Sequence, residues 1–510
     1  MTIEKLETEV VNTAKRYGAE MNGINTIQES ERKGKASDLF WPWFAGNVTV
    51  LGMAYGSFLF GFGISFWQAT VVGLLGVVIS YGLCGAIAIA GKRGSAPTLT
   101  LSRAAFGVNG NRLPGVISWV LAVGWETVNA SLAVLAAAAV FNRLGWLNGD
   151  ATKVVAMIVV IALTIAAGVM GFDLLMRSQV WITWIAGVLT IIFLILTIPH
   201  IHWAKVMAMP SGPTHAAIGG FCLCVAGFGL GYTNIAADYS RYLPRQTKSR
   251  SVIGWTTFGG AIAPIVLVVF GLLLAGSSVK LSGLIGANPI GALTTILPVW
   301  FLVPYAVASI LALISAAILE IYSSGLSLLA VGIRLPRPIT ALIDGVVMIA
   351  GVTYIAFFAP SFVAPFEAFL VTVGIPTAAW AGIFIADLLL RKKDYAEADL
   401  YDASGRYGSV RWHAIALLVV GTIVGWGMVT NSYGVPAFLN WQGYLLGVTG
   451  LGGKAGPWAY AYVGVPISLV IGFAGNLVFG RGHVRRQEAI PIEPSTMTVD
   501  YLHGTETSNA

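Results

Sequence analysis

The sequence predicts an all-α polytopic membrane protein with about twelve transmembrane helices, and three observations predict it. Charged residues fill only 10% of the 510 positions and hydrophobic residues 56%. Soluble domains carry about a quarter charged residues, so this chain has too few to cover a water-facing surface. The apolar residues come in continuous blocks of about 20, the length a helix needs to cross hydrocarbon. A bilayer offers no water to backbone groups, so only helices or a closed barrel can span it. Continuous rather than alternating apolarity excludes the barrel.

Twelve apolar windows follow in order, spans 1 to 12: 40–63, 67–91, 112–141, 152–171, 178–199, 215–237, 252–276, 301–332, 338–357, 360–389, 412–431 and 457–480. Residues 281–300 are apolar but interrupted by Asn288, Pro289 and Pro298, which predicts an external re-entrant or surface segment. Residues 432–456 are rich in Gly and carry Trp441 and Tyr444, the composition of an interfacial loop. Cys84, Cys222 and Cys224 all lie inside apolar windows, so neither a disulfide nor a CxxC metal motif is expected. The first 38 residues are polar, without the pattern of a cleavable signal peptide.

Orientation follows from the basic residues. Of the 30 Lys and Arg, 25 fall on one side when the loops are assigned alternately. The other side keeps only Arg143, Lys153, Lys205, Lys280 and Lys454. Positive residues stay in the cytoplasm, so both termini are expected there, in the cell inner membrane, with an even number of spans. The net charge of +7 then has a topological cause, and nucleic acid is excluded as a partner. The expected organisation is a cytoplasmic segment 1–39, a five-helix repeat 40–199 and an inverted repeat 215–389. A cytoplasmic loop 390–411, two further spans within 412–480 and a tail 481–510 complete it.

Two spans contain residues that weaken a membrane helix. Span 1 carries Gly46, Asn47 and Thr49 near its middle; span 6 carries Gly227, Gly229 and Gly231 with Phe228 and Tyr232 between and beside them. Small residues can serve close helix packing alone. Breaks at corresponding positions of two halves instead point to an inverted-repeat transporter, in which freed backbone groups bind substrate or ion.

Glu126 and Glu320 lie near the middle of spans 3 and 8. A charged carboxylate there costs about 2.5–3.5 kcal/mol on insertion scales, so each should face the bundle interior. Each is a proton-carrier candidate, or else a neutral glutamic acid that locks two helices. Trp125 and Asn129 are four residues apart and share a helix face. A flat aromatic surface beside an amide that donates and accepts suits a planar heterocycle. Glu126 is displaced by about 100° and faces elsewhere. Arg103, Asp238 and Arg241 sit at cytoplasmic helix ends, where they cap helices and set topology, or gate conformational change.

At these residues the chain resembles the nucleobase:cation symporter-1 family, in its bacterial purine-cytosine permease branch. The resemblance covers most of the chain. It rests on Asp38–Leu39–Phe40–Trp41 and Trp43–Phe44–Ala45–Gly46–Asn47 entering span 1, and on Ser102–Arg103–Ala104–Ala105–Phe106–Gly107 with Gly110–Asn111 between spans 2 and 3. Gly124–Trp125–Glu126–Thr127–Val128–Asn129, Ala237–Asp238–Tyr239–Ser240–Arg241–Tyr242 and Glu320–Ile321–Tyr322–Ser323–Ser324 resemble its motifs in spans 3, 6 and 8, with Glu320 replacing an Asn.

The resemblance implies a LeuT-like fold of two inverted five-helix repeats plus two C-terminal helices, working by alternating access as a secondary transporter of nucleobase-like heterocycles. It implies that Trp125 and Phe228 sandwich the base and that Asn129 holds its edge, with Asn47, Thr49 and Glu320 lining the rest. Ala45 and Val48 carbonyls with hydroxyls of span 8 would form a sodium site, but Ser315 is followed by Ala316. The missing hydroxyl favours protons, carried by Glu126 or Glu320, over sodium. No metal, cofactor or obligatory protein partner is expected. The alternative is a LeuT-fold carrier for an amino acid or other small solute, sodium-coupled or not. Its carboxylate site would need small residues where Asn47–Val48–Thr49 stands. A channel would need a selectivity loop or charged ring. An enzyme would need a nucleophile or metal constellation, which this sequence lacks.

Overall fold

In the computed structural model, residues 24–49, 51–146, 149–170, 172–333, 337–431, 440–491, 499–500 and 505–506 are described. Each of the twelve apolar windows contains helix. Among the described residues, eight helical stretches are long and apolar enough to cross a membrane by themselves, and a ninth if Gly464–Phe479 and Arg481–Ala489, bent by 52°, form one span. Among the described residues the only strands are Val499–Asp500 and Thr505–Glu506, paired antiparallel in the tail.

Helix ends follow local chemistry. Span 2, Phe66–Gly94, starts at Ser65, whose hydroxyl accepts from Gln68 N while the Gln68 side chain returns to Ser65 N, a capping box. Span 3, Arg112–Leu144, stops at Gly145, and span 8, Leu302–Val331, at Gly332. Both glycines are in the left-handed conformation that a side chain disfavours. The interrupted region 281–300 resolves into two short helices, Val279–Ala287 and Pro289–Thr294, capped by Ser278 and Asn288 side chains.

Spans 1 and 6 are broken as expected. Span 1 is Phe40–Ala45 and Leu51–Gly61. Span 6 is Thr214–Gly227, a 3-10 stretch Gly229–Ile235, and Ala236–Ser240. The remaining spans are Asp150–Met170, Phe172–Thr197, Ser249–Ser277, Arg337–Thr353, Val363–Leu390, Trp412–Gly427 and Gly464–Phe479.

Packing between spans is reciprocal. Span 3 packs extensively on span 8, and span 2 on span 7. The second half of span 1 packs on span 7 as the first half of span 6 packs on span 2. Span 4 touches span 8 as span 9 touches span 3, and span 5 lies on span 8 as span 10 lies on span 3. Exchanging each span with the one five places along maps this set of contacts onto itself, which is the signature of two repeats related by a pseudo-two-fold. Close approach depends on glycine: a Cβ on Gly56 would lie 2.3 Å from Leu272 N, and one on Gly271 would lie 2.0 Å from Met53 O. Without lipid-excluding hydrophobicity to drive helix association, such backbone contacts supply the packing. Spans 11 and 12 pack together against span 10.

Candidate functional site

The two breaks face each other and enclose a small cavity of about 20 Å³. Span 1 contributes Gly46, Asn47, Thr49, Leu51, Gly52 and Tyr55; span 3 contributes Trp125 and Asn129; span 6 contributes Gly227, Phe228 and Tyr232. Five of the predicted substrate residues, Asn47, Thr49, Trp125, Asn129 and Phe228, therefore line one space. Glu320 does not line it.

Side chains hold the breaks open. Ser80 Oγ donates to Val225 O and accepts from Leu230 N, both at 2.7 Å, and Tyr55 OH donates to Gly227 O at 2.9 Å. Backbone groups released by the glycine-rich stretch thus find partners from spans 2 and 1 instead of hydrocarbon. Asn47 does the same in span 1: its Nδ2 donates to Trp43 O at 2.7 Å, and its Oδ1 accepts from Tyr81 OH at 2.5 Å.

The cavity holds two aromatic rings beyond the expected Trp125 and Phe228. The Trp125 ring runs parallel to Tyr232, 13° apart with centroids at 6.3 Å, while Phe366 and Phe369 of span 10 meet it edge-on. Phe228 lies against Tyr55, at 4.3 Å. Tyr55 and Tyr232 are therefore cavity residues that the sequence reading missed; Tyr232 stood in the quoted break, but nothing local revealed which ring it would face. Gly231 makes the arrangement possible, since a Cβ there would lie 2.8 Å from Trp125 Nε1. Two donors in this space have no hydrogen-bond partner among the described residues: Trp125 Nε1 and Asn129 Nδ2, on residues each 3% exposed. Buried donors in native proteins are nearly always satisfied, so an orphaned pair beside aromatic faces marks a place for a ligand acceptor.

Glu126 points away from the cavity, as its angular offset requires, toward Glu320 and Ser324 of span 8 and Asp344 of span 9. Glu126 and Glu320 are both fully buried, and none of their four carboxyl oxygens has a partner among the described residues. Asp344, also fully buried, accepts from Ser324 Oγ at 2.6 Å and from Trp119 Nε1 at 2.9 Å. The one Ser324 hydroxyl proton has Asp344 Oδ2 at 2.6 Å and Ile321 O at 2.9 Å as acceptors. The sequence reading passed over Asp344, which lies two turns into span 9 in a helix that begins with Arg337.

Val48 packs with Ala186, Ala263 and Ala312, next to Phe44. A second cavity beside it is lined by Thr190 and Ser309, whereas Ser315, though buried, does not line it. Ala45 is buried at the end of Phe40–Ala45.

At the end of the molecule richest in arginine, Asp238 accepts from Thr98 N at 2.8 Å and Thr98 Oγ1 at 2.7 Å. Arg103 donates to Leu400 O at 3.1 Å, and Arg241 to Tyr322 OH at 3.2 Å. Arg245 bridges Glu29 and Glu397, each at 2.6 Å, and Arg32 donates to Leu243 O at 2.6 Å. Burial opposes the Arg245 charge, but the two carboxylates outweigh it and raise its pKa. Segments 24–35, 92–98, 238–245 and 388–401 are thereby clasped over this end.

A family model described as permease for cytosine/purines, uracil, thiamine, allantoin matches residues 26–449. The chain belongs to this permease family. Its members are transporters, not enzymes, and this chain is a multi-pass membrane protein of that kind. A curated relative, the putative purine-cytosine permease YxlA of Bacillus subtilis, is 24% identical over 81% of this chain and 89% of its own length. Among solved structures, Mhp1, a nucleobase-cation-symport-1 family transporter in a closed conformation with bromovinylhydantoin bound, aligns with TM-score 0.65 and 17% identity. That alignment covers 92% of this chain and all of Mhp1. A manganese transporter of Eremococcus coleocola aligns with TM-score 0.50 and 15% identity over 92% of this chain and 99% of its own. One fold thus serves unlike cargoes, and the choice of substrate rests with the cavity.

Proposed function

We propose that this permease takes up a nucleobase or a related planar heterocycle of the cytosine/purine class by alternating access, with protons as the coupling ion. The observation that carries the reading is the cavity between the broken spans. It offers parallel aromatic faces from Trp125 and Tyr232, together with two orphaned donors, Trp125 Nε1 and Asn129 Nδ2, for ring or carbonyl acceptors. Thr49 and Asn47 edge the same space. Phe228 contributes apolar surface, backed by Tyr55.

Glu126 is the proton carrier in this reading, with Glu320 beside it. A carboxylate with two buried oxygens and no donor is costly to leave charged, and it exchanges protons when conformational change brings water to it. Ala45 and Val48 carbonyls with Ser315 would be the ligands if sodium were used, and Ser315 does not line the cavity beside Val48. Both termini lie in the cytoplasm of this inner-membrane protein, so the Arg245 clasp, with Arg103, Asp238 and Arg241 behind it, closes the inward gate. Residues 40–199 and 215–389 are the two repeats. Lipid is the only macroscopic partner required.

Equilibrium binding of radiolabelled cytosine to the purified protein, competed by unlabelled purines, uracil, hydantoins and amino acids, tests the substrate class. Displacement by heterocycles and not by amino acids is expected; displacement by amino acids alone would overturn it.

A further inference from the structure

Where span 12 ends, the chain bends by 52° at Gly480 into the helix Arg481–Ala489. The bend brings His483 over His413, at the start of span 11, with ring centroids 4.4 Å apart and planes 4° from parallel. Arg411 lies near both rings and Arg486 near His483. Four groups able to carry positive charge meet here, and the charges acting on them come from one another.

The contrast with nearby arginines is informative. Arg391 is paired with Asp387 at 3.0 Å, and Arg406 with Asp399. Among the described residues, Arg411, Arg485 and Arg486 have no carboxylate partner. Arg411 Nη2 reaches only the Arg406 carbonyl, at 2.7 Å, and its buried Nε has no acceptor. Burial and the two arginines lower the His483 pKa. Among the described residues no anion offsets this cluster. Around it lie apolar side chains turned outward: Trp412 is 74% exposed, Val478 70% and Phe479 62%.

We propose that this cluster seats the phosphate of an anionic phospholipid, held by Arg411, Arg486 and the two histidines, with Trp412, Val478 and Phe479 against its acyl chains. Basic pockets at helix ends on the arginine-rich membrane face recognise such headgroups, and exposed Trp at the same depth anchors to the interface. A free anion would gain nothing from the apolar rim, so the lipid is the occupant the surface fits. The site is independent of the substrate cavity and does not rest on the transport reading.

The test is thermal unfolding of the purified full chain titrated with phosphatidylglycerol, phosphatidylcholine or inorganic phosphate. Phosphatidylglycerol should raise Tm saturably, and the other two should not. At about a fivefold affinity change per arginine near an anionic headgroup, Arg411→Gln with Arg486→Gln should weaken the phosphatidylglycerol effect about thirtyfold. The lipid-free Tm should stay near that of the unaltered protein. An equal Tm rise with phosphatidylcholine, or with phosphate alone, would overturn the assignment, as would an undiminished response in the double variant. The comparison of lipids on the unaltered protein stands even if the variant folds poorly.

Discussion

Replacing Trp125 by alanine removes a cavity ring that lies parallel to Tyr232, and with it the Nε1 donor that has no partner among the described residues. Base-on-aromatic stacking is worth about 1–3 kcal/mol. Loss of that stacking should raise the Kd for cytosine about 5- to 150-fold. A lost hydrogen bond from Nε1 adds to this at the upper end. Truncating a buried Trp also costs about 3–5 kcal/mol of stability, so the alanine variant needs a companion. Trp125→Phe keeps a stacking face and much of the packing against Phe366 and Phe369, but removes the donor. The assay is radiolabelled cytosine binding to purified protein, normalised to folded material by size-exclusion chromatography. The expected order of affinity is unaltered, Phe, Ala. Equal affinities across the three, in protein that is folded, would refute the stacking argument.

Asn129→Leu conserves volume but removes the orphaned amide donor, and should weaken cytosine binding about tenfold in the same assay while leaving Tm within a few degrees. Gly231→Val drives a side chain into Trp125 Nε1, so substrate binding should be lost while the protein still inserts, read by binding and membrane fractionation together. Glu126→Gln should abolish stimulation of uptake by an imposed proton gradient yet preserve cytosine exchange between the two sides. Asp344→Asn should do likewise if Asp344 relays the Glu126 proton; retained gradient stimulation would leave it a structural partner of Ser324 and Trp119. Arg245→Gln opens the clasp to Glu29 and Glu397, so a cysteine placed at Ser80 should label faster with a thiol reagent added from the cytoplasmic side.

The break in span 1 and the break in span 6 were legible because Gly, Asn and Thr in a continuous apolar window have few other uses. Trp125 and Asn129 were legible for a related reason: helical spacing put an aromatic ring and an amide on one face, and both line the cavity. What escaped depended on contacts between distant segments. Tyr55 and Tyr232 read as ordinary aromatic residues until spans 1, 3 and 6 are assembled. Phe228 lines the cavity with its ring tilted against Tyr55, a direction periodicity does not give because the residues at the break leave helical geometry. Glu320 does not line the cavity itself but acts on Tyr232, which does, as well as on Glu126. On span 8, three-residue steps drift about 60° around the helix, so Ser309 rather than Ser315 shares the cavity beside Val48. The Arg245–Glu397 pair joins residues 152 positions apart, and no local pattern announces it.

The most direct test of the central claim is radiolabelled cytosine uptake into proteoliposomes under an imposed proton gradient, inside alkaline, in sodium-free buffer. Accumulation above equilibrium that collapses with a protonophore, and that Trp125→Phe reduces, is the predicted result. Uptake that only equilibrates, or that accumulates solely when sodium is supplied, would contradict proton-coupled transport and return the cation role to the residues around Val48.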